Sequence, residues 1–207
     1  LDTAFDVMGD IILSTAAQQY GGFTVPEVDK ILAPYAKKSY DKYISEFLKY
    51  SDESWSGREE RAIEYALDKV RRDYDQGWQG IEYKLNTVGS SRGDYPFVTV
   101  TLGLGTEQFE KMCTISLLEV HQGGQGKAGH KKPVLFPKIV FLYDKEIHGP
   151  GKCCEDIFEA GVECSSKTMY PDWLSMSGAG YISSMYKKYK KVISPMGCRA
   201  FLSPWYE

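Results

Sequence analysis

The chain has 207 residues, 43% hydrophobic and 26% charged, with 20 glycines and 9 prolines, a globular composition outside the disordered, collagenous and coiled-coil classes. With 25 basic against 28 acidic side chains the formal charge is -3, which argues against the basic footprint of a nucleic-acid partner. The longest apolar runs, Ile11 to Leu13 and Val134 to Phe136, fall far short of the roughly 20 residues of a membrane span, and no basic-then-apolar leader opens the chain.

Leu1, Phe5, Met8, Ile12 and Ala16 recur at helical steps and predict a helix over Leu1 to Tyr20, stopped by Gly21 and Gly22. A second helix is expected from Thr24 to Tyr50. There Thr24 and Glu27 have capping-box spacing, Pro26 sits in the first turn, and Pro34 should kink the helix. Ser56 and Glu59 repeat the capping spacing ahead of a stripe made by Ile63, Leu67, Val70 and Tyr74. Phe97 to Leu104, with Thr99 and Thr101 alternating with valines and leucine, reads as a strand. A helix should follow, capped by Thr106 and burying Phe109, Met112, Cys113, Ser116, Leu117 and Val120.

After a loop from Gln122 to Lys132, the run Val134 to Tyr143 is apolar on both alternating faces, as a doubly covered strand would be. Helices are expected from Glu155 to Ser166 and from about Gly180 to Tyr189. Strand, helix, strand, helix defines an α/β fold, with a helical region over 1–80 and an α/β region over 81–207.

Gly123 to Lys127 lacks the spacing of a phosphate loop, because His121 stands where a Gly is needed and Ala128 where a Ser or Thr is needed. Lys127, Lys131 and Lys132 form a basic loop able to meet a phosphate electrostatically. His121, His130 and His148 have no metal-ligand spacing and are expected to face solvent. The five cysteines are odd in number and irregular in spacing, so reduced intracellular thiols and a cytoplasmic location are expected. Cys113 and Cys164 fall on apolar helix faces, and Cys153-Cys154 is a vicinal pair in a turn. Cys198 lies where Pro195 and Gly197 permit a tight backbone path, as a loop tip entering a cavity needs.

Several separated motifs stand in one order: Tyr20-Gly-Gly-Phe-Thr with Leu32-Ala-Pro-Tyr-Ala36; Glu82-Tyr-Lys-Leu-Asn-Thr87 with Pro96-Phe-Val-Thr99 and Gly103-Leu-Gly105; Phe136-Pro-Lys-Ile-Val-Phe141; Met169-Tyr-Pro-Asp172; and Met196-Gly-Cys-Arg-Ala-Phe-Leu202. Together they resemble the anaerobic, class III, ribonucleoside-triphosphate reductases of the glycyl radical enzyme superfamily. The resemblance implies part of a ten-stranded α/β barrel with a finger loop, Cys198 as the radical-carrying cysteine at its tip and Met196 beside it. It also implies that 1–80 forms a dimer and effector interface, with 81–207 part of the catalytic barrel.

Asn86, Thr87, Ser91 and Arg92 match a family pattern in part and are placed near the nucleotide, in a polar turn. The implied partners are a ribonucleoside triphosphate substrate, dNTP or ATP effectors, a second copy of the chain and a radical-SAM iron-sulfur activating enzyme. No glycyl radical segment, paired CxxC zinc site or ATP-cone is found in these 207 residues. The family places the glycyl radical and a structural zinc C-terminal to this stretch, with formate or a thiol system as reductant, so an internal piece of a longer enzyme, inactive by itself, is expected. Two alternatives remain: another glycyl radical enzyme using Cys153 and Cys154, and a non-catalytic nucleotide-binding dimerisation module.

Overall fold

The computed structural model describes residues 1–19, 21–89, 93, 95–197 and 200–201. The first helix, α1, spans Asp2–Gln18 and buries Phe5 and Ile12. The second expected helix is divided. Phe23–Val25 form a short strand, β1, and the helix α2 runs from Val28 to Tyr50 without interruption at Pro34. The Thr24–Glu27 capping box does not form, because both partners are taken. Thr24 sits in β1, and the Glu27 N–H donates to Thr101 Oγ1 at 2.9 Å.

The helix α3, Arg58–Thr87, is capped by Gly57 in the left-handed region rather than by a Ser56 box. Arg58 ties its start to the end of α2 by donating to Ser51 Oγ and to the Leu48 carbonyl. Val70 and Tyr74 are buried as expected, but stepping back by four from Val70 leads to Ala66 and Ala62, not to Leu67 and Ile63. The small alanines are in contact with the core, and Ile63 is exposed. The helix then continues through Trp78, Ile81 and Leu85, so the boundary drawn at residue 80 falls inside it.

Strand β2 is Val98–Leu102. It leads into α4, Gln108–Gly123, whose N-cap is Glu107 rather than Thr106, in a reciprocal capping box with Glu110. Strand β3, Lys138–Tyr143, is shorter than the expected Val134 to Tyr143. The reason is chemical: Leu135 and Phe136 donate their N–H groups to Asn86 Oδ1, the Phe136 carbonyl accepts from Asn86 Nδ2, and Pro137 has no N–H to give. A one-turn helix α5 (Lys145–His148), α6 (Glu155–Thr168), strand β4 (Asp172–Ser175) and α7 (Tyr181–Tyr189) follow. The chain ends its described part in a hairpin of β5 (Pro195–Met196) and β6 (Ala200–Phe201).

The four strands β1 to β4 form one parallel sheet in sequence order. Val98, Val100 and Leu102 of β2, with Ile139 and Phe141 of β3, pack into a single core with α1 to α4 and α6. Each such buried side chain contributes about 1.5–3 kcal/mol. The alternate residues turn to the opposite face: Val140 and Leu142 meet Ile182 and Tyr186 of α7, while Thr99 and Thr101 reach Gly197 and Ser194, the residues on either side of β5. The fold is therefore mixed α/β, a parallel sheet with five helices on one face and α7 and the hairpin on the other, and β1 joins the helical region of 1–80 to the sheet. Among the described residues no helix is long and apolar enough to cross a membrane.

Candidate active site

The hairpin segment Ser194–Gly197 lies against the first two strands. Thr24 Oγ1 donates to the Pro195 carbonyl at 2.9 Å, Thr101 Oγ1 and Ser194 Oγ are 3.1 Å apart, and Gly197 N–H donates to Thr99 Oγ1 at 3.2 Å. Gly197 has φ +54, and a Cβ there would come within 2.8 Å of the Phe97 ring, so only glycine fits. On its other side, a Cβ on Gly22 would come within 3.4 Å of the Gly197 Cα. Met196 pairs with Ala200 in the hairpin and is half-buried. Cys198 and Arg199 follow Gly197 in the sequence and lie outside the described residues, as do Ser91, Arg92, Tyr20 and Leu202.

Asn86 and Thr87 are not in a turn. They occupy the last turn of α3, where Thr87 is exposed and its hydroxyl donates to the Tyr83 carbonyl at 2.5 Å. Asn86 spends its whole amide on the main chain of Glu82, Leu135 and Phe136. The Phe136 ring meets Phe97 edge-on at 5.3 Å, and Phe97 is the residue that cradles Gly197. Asn86 and the hairpin are thus connected through two aromatic rings at the same end of the sheet.

At the opposite, carboxyl end of β2, Asp29 is wholly buried. Its Oδ2 accepts from the N–H groups of Gly103 and Gly105 at 2.9 and 3.2 Å, and its Oδ1 accepts from Lys30 N–H. Burial pushes its carboxyl above the usual range, against the opposing pull of those donors.

Two histidines expected in solvent are buried. His121 Nδ1 meets Glu82 Oε1 at 2.8 Å, and both side chains are inaccessible. His148 is held by the Asp144 N–H at 2.9 Å on Nδ1 and by the Gly103 carbonyl at 2.7 Å on Nε2. Burial lowers its pKa, which fits a neutral ring donating from Nε2 and accepting at Nδ1. His130 is exposed. The loop of Lys127, Lys131 and Lys132 is closed by a bridge between Gln125 and Lys132.

Cys113 and Cys164 are core residues, as the helical faces predicted, and burial raises both thiols. Cys153 is exposed and Cys154 buried, with the sulfurs 3.7 Å apart. Cys154 is pushed up to about 12, first by burial. It packs in the core on the helical face of the sheet, on the other side from the hairpin. Among the described residues no three His, Cys, Asp or Glu side chains converge on a possible metal position.

The threonine hydroxyls and Asp29 escaped the sequence reading. A signal for the threonines was present: in a strand buried on both faces, Val would pack equally well, and a hydroxyl is tolerated only with a partner. Asp29, one acid among 28, carried no such mark.

A parallel α/β sheet with a glycine-cradled hairpin laid across its strands is the class that the fold and this site define. The chain belongs to the anaerobic ribonucleoside-triphosphate reductase family, whose pattern matches residues 1–207. It is similar to proteins of that name from Enterobacteria phage T4, 36% identical over 209 residues, Salmonella typhimurium, 35% over 206, and Escherichia coli K12, 34% over 206. Each match covers 99% of this chain but only 32%, 27% and 27% of the relative. The chain therefore spans about a third or less of the relatives it matches.

Proposed function

We propose that this chain is the part of an anaerobic ribonucleoside-triphosphate reductase that carries the thiyl-radical finger. The observation behind it is the hairpin of Pro195–Met196 and Ala200–Phe201, tied by Ser194, Pro195 and Gly197 to the face of the sheet free of α1 to α4. In this reading Cys198 gives its thiol hydrogen atom to a glycyl radical carried elsewhere in the full-length protein. Cys198 then takes the 3′ hydrogen of the bound ribonucleotide. The 2′ hydroxyl leaves as water, with electrons from formate or a thiol system, and Met196 stands beside the reacting sulfur. Asn86, Thr87, Ser91 and Arg92 belong to the nucleotide side, Asn86 acting through the 135–136 backbone it grips.

A sheet whose strands follow in sequence order with helices α1 to α4 and α6 on one face suits a stretch of a ten-stranded barrel. The residues α1 and α2 leave exposed, Val7, Ile11, Ile31 and Tyr35, line an apolar groove of about 490 Å³ together with Phe23 and Pro26, which supports a homodimer interface with effector nucleotides nearby. The structural zinc and the radical-SAM activating enzyme's target belong to the rest of the full-length protein, and the location is cytoplasmic. The Cys153–Cys154 alternative is disfavoured by the burial of Cys154 in the core on the helical face.

In the full-length enzyme Cys198→Ser should abolish deoxynucleotide formation while the glycyl radical signal persists, because an O–H bond is too strong to yield its hydrogen to that radical. Deoxynucleotide product from this variant would overturn the assignment. In the same assay Arg92→Ala should raise KM for the triphosphate, and an unchanged KM and kcat would remove it from the nucleotide side.

A further inference from the structure

The inward face of β2 is unusual for a strand buried on both sides. Thr99 and Thr101 have no exposed surface, in positions where valine would fill the same volume without a polar atom to satisfy. Both hydroxyls are used: Thr99 Oγ1 accepts the Gly197 N–H, while Thr101 Oγ1 accepts the Glu27 N–H and lies 3.1 Å from Ser194 Oγ. From β1, Thr24 Oγ1 adds a third contact, to the Pro195 carbonyl. The partners lie 98, 93 and 171 residues apart, so no local turn explains these bonds.

Sterics and hydrogen bonding agree on one register. Gly197 is left-handed, and Phe97 would lie 2.8 Å from a Cβ there. Sliding the segment one residue along β2 would drive a side chain into that ring and leave a buried threonine hydroxyl and a buried amide unpaired.

We propose that Thr99 is a positioning residue of this site, with Thr24 as its partner. Its hydroxyl holds the amide of Gly197 and so fixes the backbone to which the next residue in sequence, Cys198, is attached. The inference rests on the reading of Cys198 as the radical thiol and adds to it the residues that aim the finger. A hydrogen atom transfers only over a short, aligned approach, and misplacing a reacting group by about 1 Å costs on the order of 10²-fold in rate. A residue that only aims the finger changes kcat and leaves KM alone.

The test is steady-state kinetics of the activated full-length enzyme. Thr99→Val keeps the shape and removes the acceptor. It should lower kcat by about 10- to 10²-fold with KM within twofold, the same glycyl radical content per monomer and only the small fall in melting temperature that one unpaired buried amide brings. Thr99→Ser, which keeps the hydroxyl, should restore most of the rate. Should Thr99→Val fail to fold, Thr24→Val at the half-buried end of the network is read instead, with the same split of kcat from KM expected. Wild-type kcat in the folded valine variant, or equal losses in the Val and Ser variants together with a fall in melting temperature, overturns the proposal. If Cys198→Ser is inactive while Thr99→Val is fully active, the finger reading stands and this inference alone fails. Deoxynucleotide product from Cys198→Ser removes the reading beneath it.

Discussion

His148 shows how burial turns one side chain into a pH sensor of stability. It is 1% exposed, stacked on Tyr143 at 5.6 Å, with both ring nitrogens bound to main chain. Its folded pKa lies below the ordinary 6.5, so between those two values the unfolded chain holds the proton and the folded chain does not. Stability from this group is then complete above 6.5 and is lost as pH falls, by at most about 1.4 kcal/mol per pH unit. The urea midpoint should drop between pH 6.5 and 5 more steeply in the wild type than in His148→Gln; equal slopes would contradict it. Asp29 has the opposite sign, since its raised pKa makes the folded state the better proton binder, and its ionisation subtracts stability as pH rises from 3.8. The burial of Cys113 and Cys164 was legible because each sits on a helical stripe. That of His121 and His148 was not, because Glu82 and Gly103 stand 39 and 45 residues away, beyond any local pattern.

Among the elements, α3 carries two glycines three residues apart with opposite surroundings. A Cβ on Gly77 would fall 2.3 Å from the Phe5 ring, whereas one on Gly80 meets nothing within 4 Å. Both substitutions to alanine raise helix propensity by about 1 kcal/mol. Gly80→Ala should therefore stabilise. Gly77→Ala should destabilise by about 1–3 kcal/mol through overpacking, because Phe5, edge-on to Trp78 at 5.1 Å, must give way and take α1 with it. Thermal melting of the two variants checks the sign, and a stabilised Gly77→Ala would show that α1 docks loosely. The longer helices were readable, whereas the one-turn α5 and the end of α3 at Asn86 and Thr87 were not. Helix starts were misread because the capping residues had other obligations: Thr24 to Pro195, Glu27 to Thr101. The short β1 was invisible, since three residues carry no period and its strand identity comes from pairing with β2.

At the scale of the molecule, the exposed apolar side chains of α1 and α2 gather on one side. Ile11 is 55% exposed and lines the groove with Val7 and Ile31. If that groove is the dimer contact, Ile11→Glu in the full-length enzyme should shift the sedimenting species from dimer to monomer while leaving the melting of the core unchanged. A dimer that survives the charge would place the contact elsewhere. The α/β class was legible in the order strand, helix, strand, helix. The hairpin's position on the sheet was not, because nothing local in Ser194–Gly197 names the strands it will meet.

The threonine bonds also set an order of assembly during synthesis. Strands β1 to β4 leave the ribosome in the same sequence in which they pair, so each can add to an edge already made. The hairpin emerges after all four strands and returns to Thr24 and Thr99, 171 and 98 residues behind it. Non-local closure of that kind is slow. A nascent chain stalled before Ser194 would hold all four strands with the hydroxyls of Thr24 and Thr99 still without their hairpin partners.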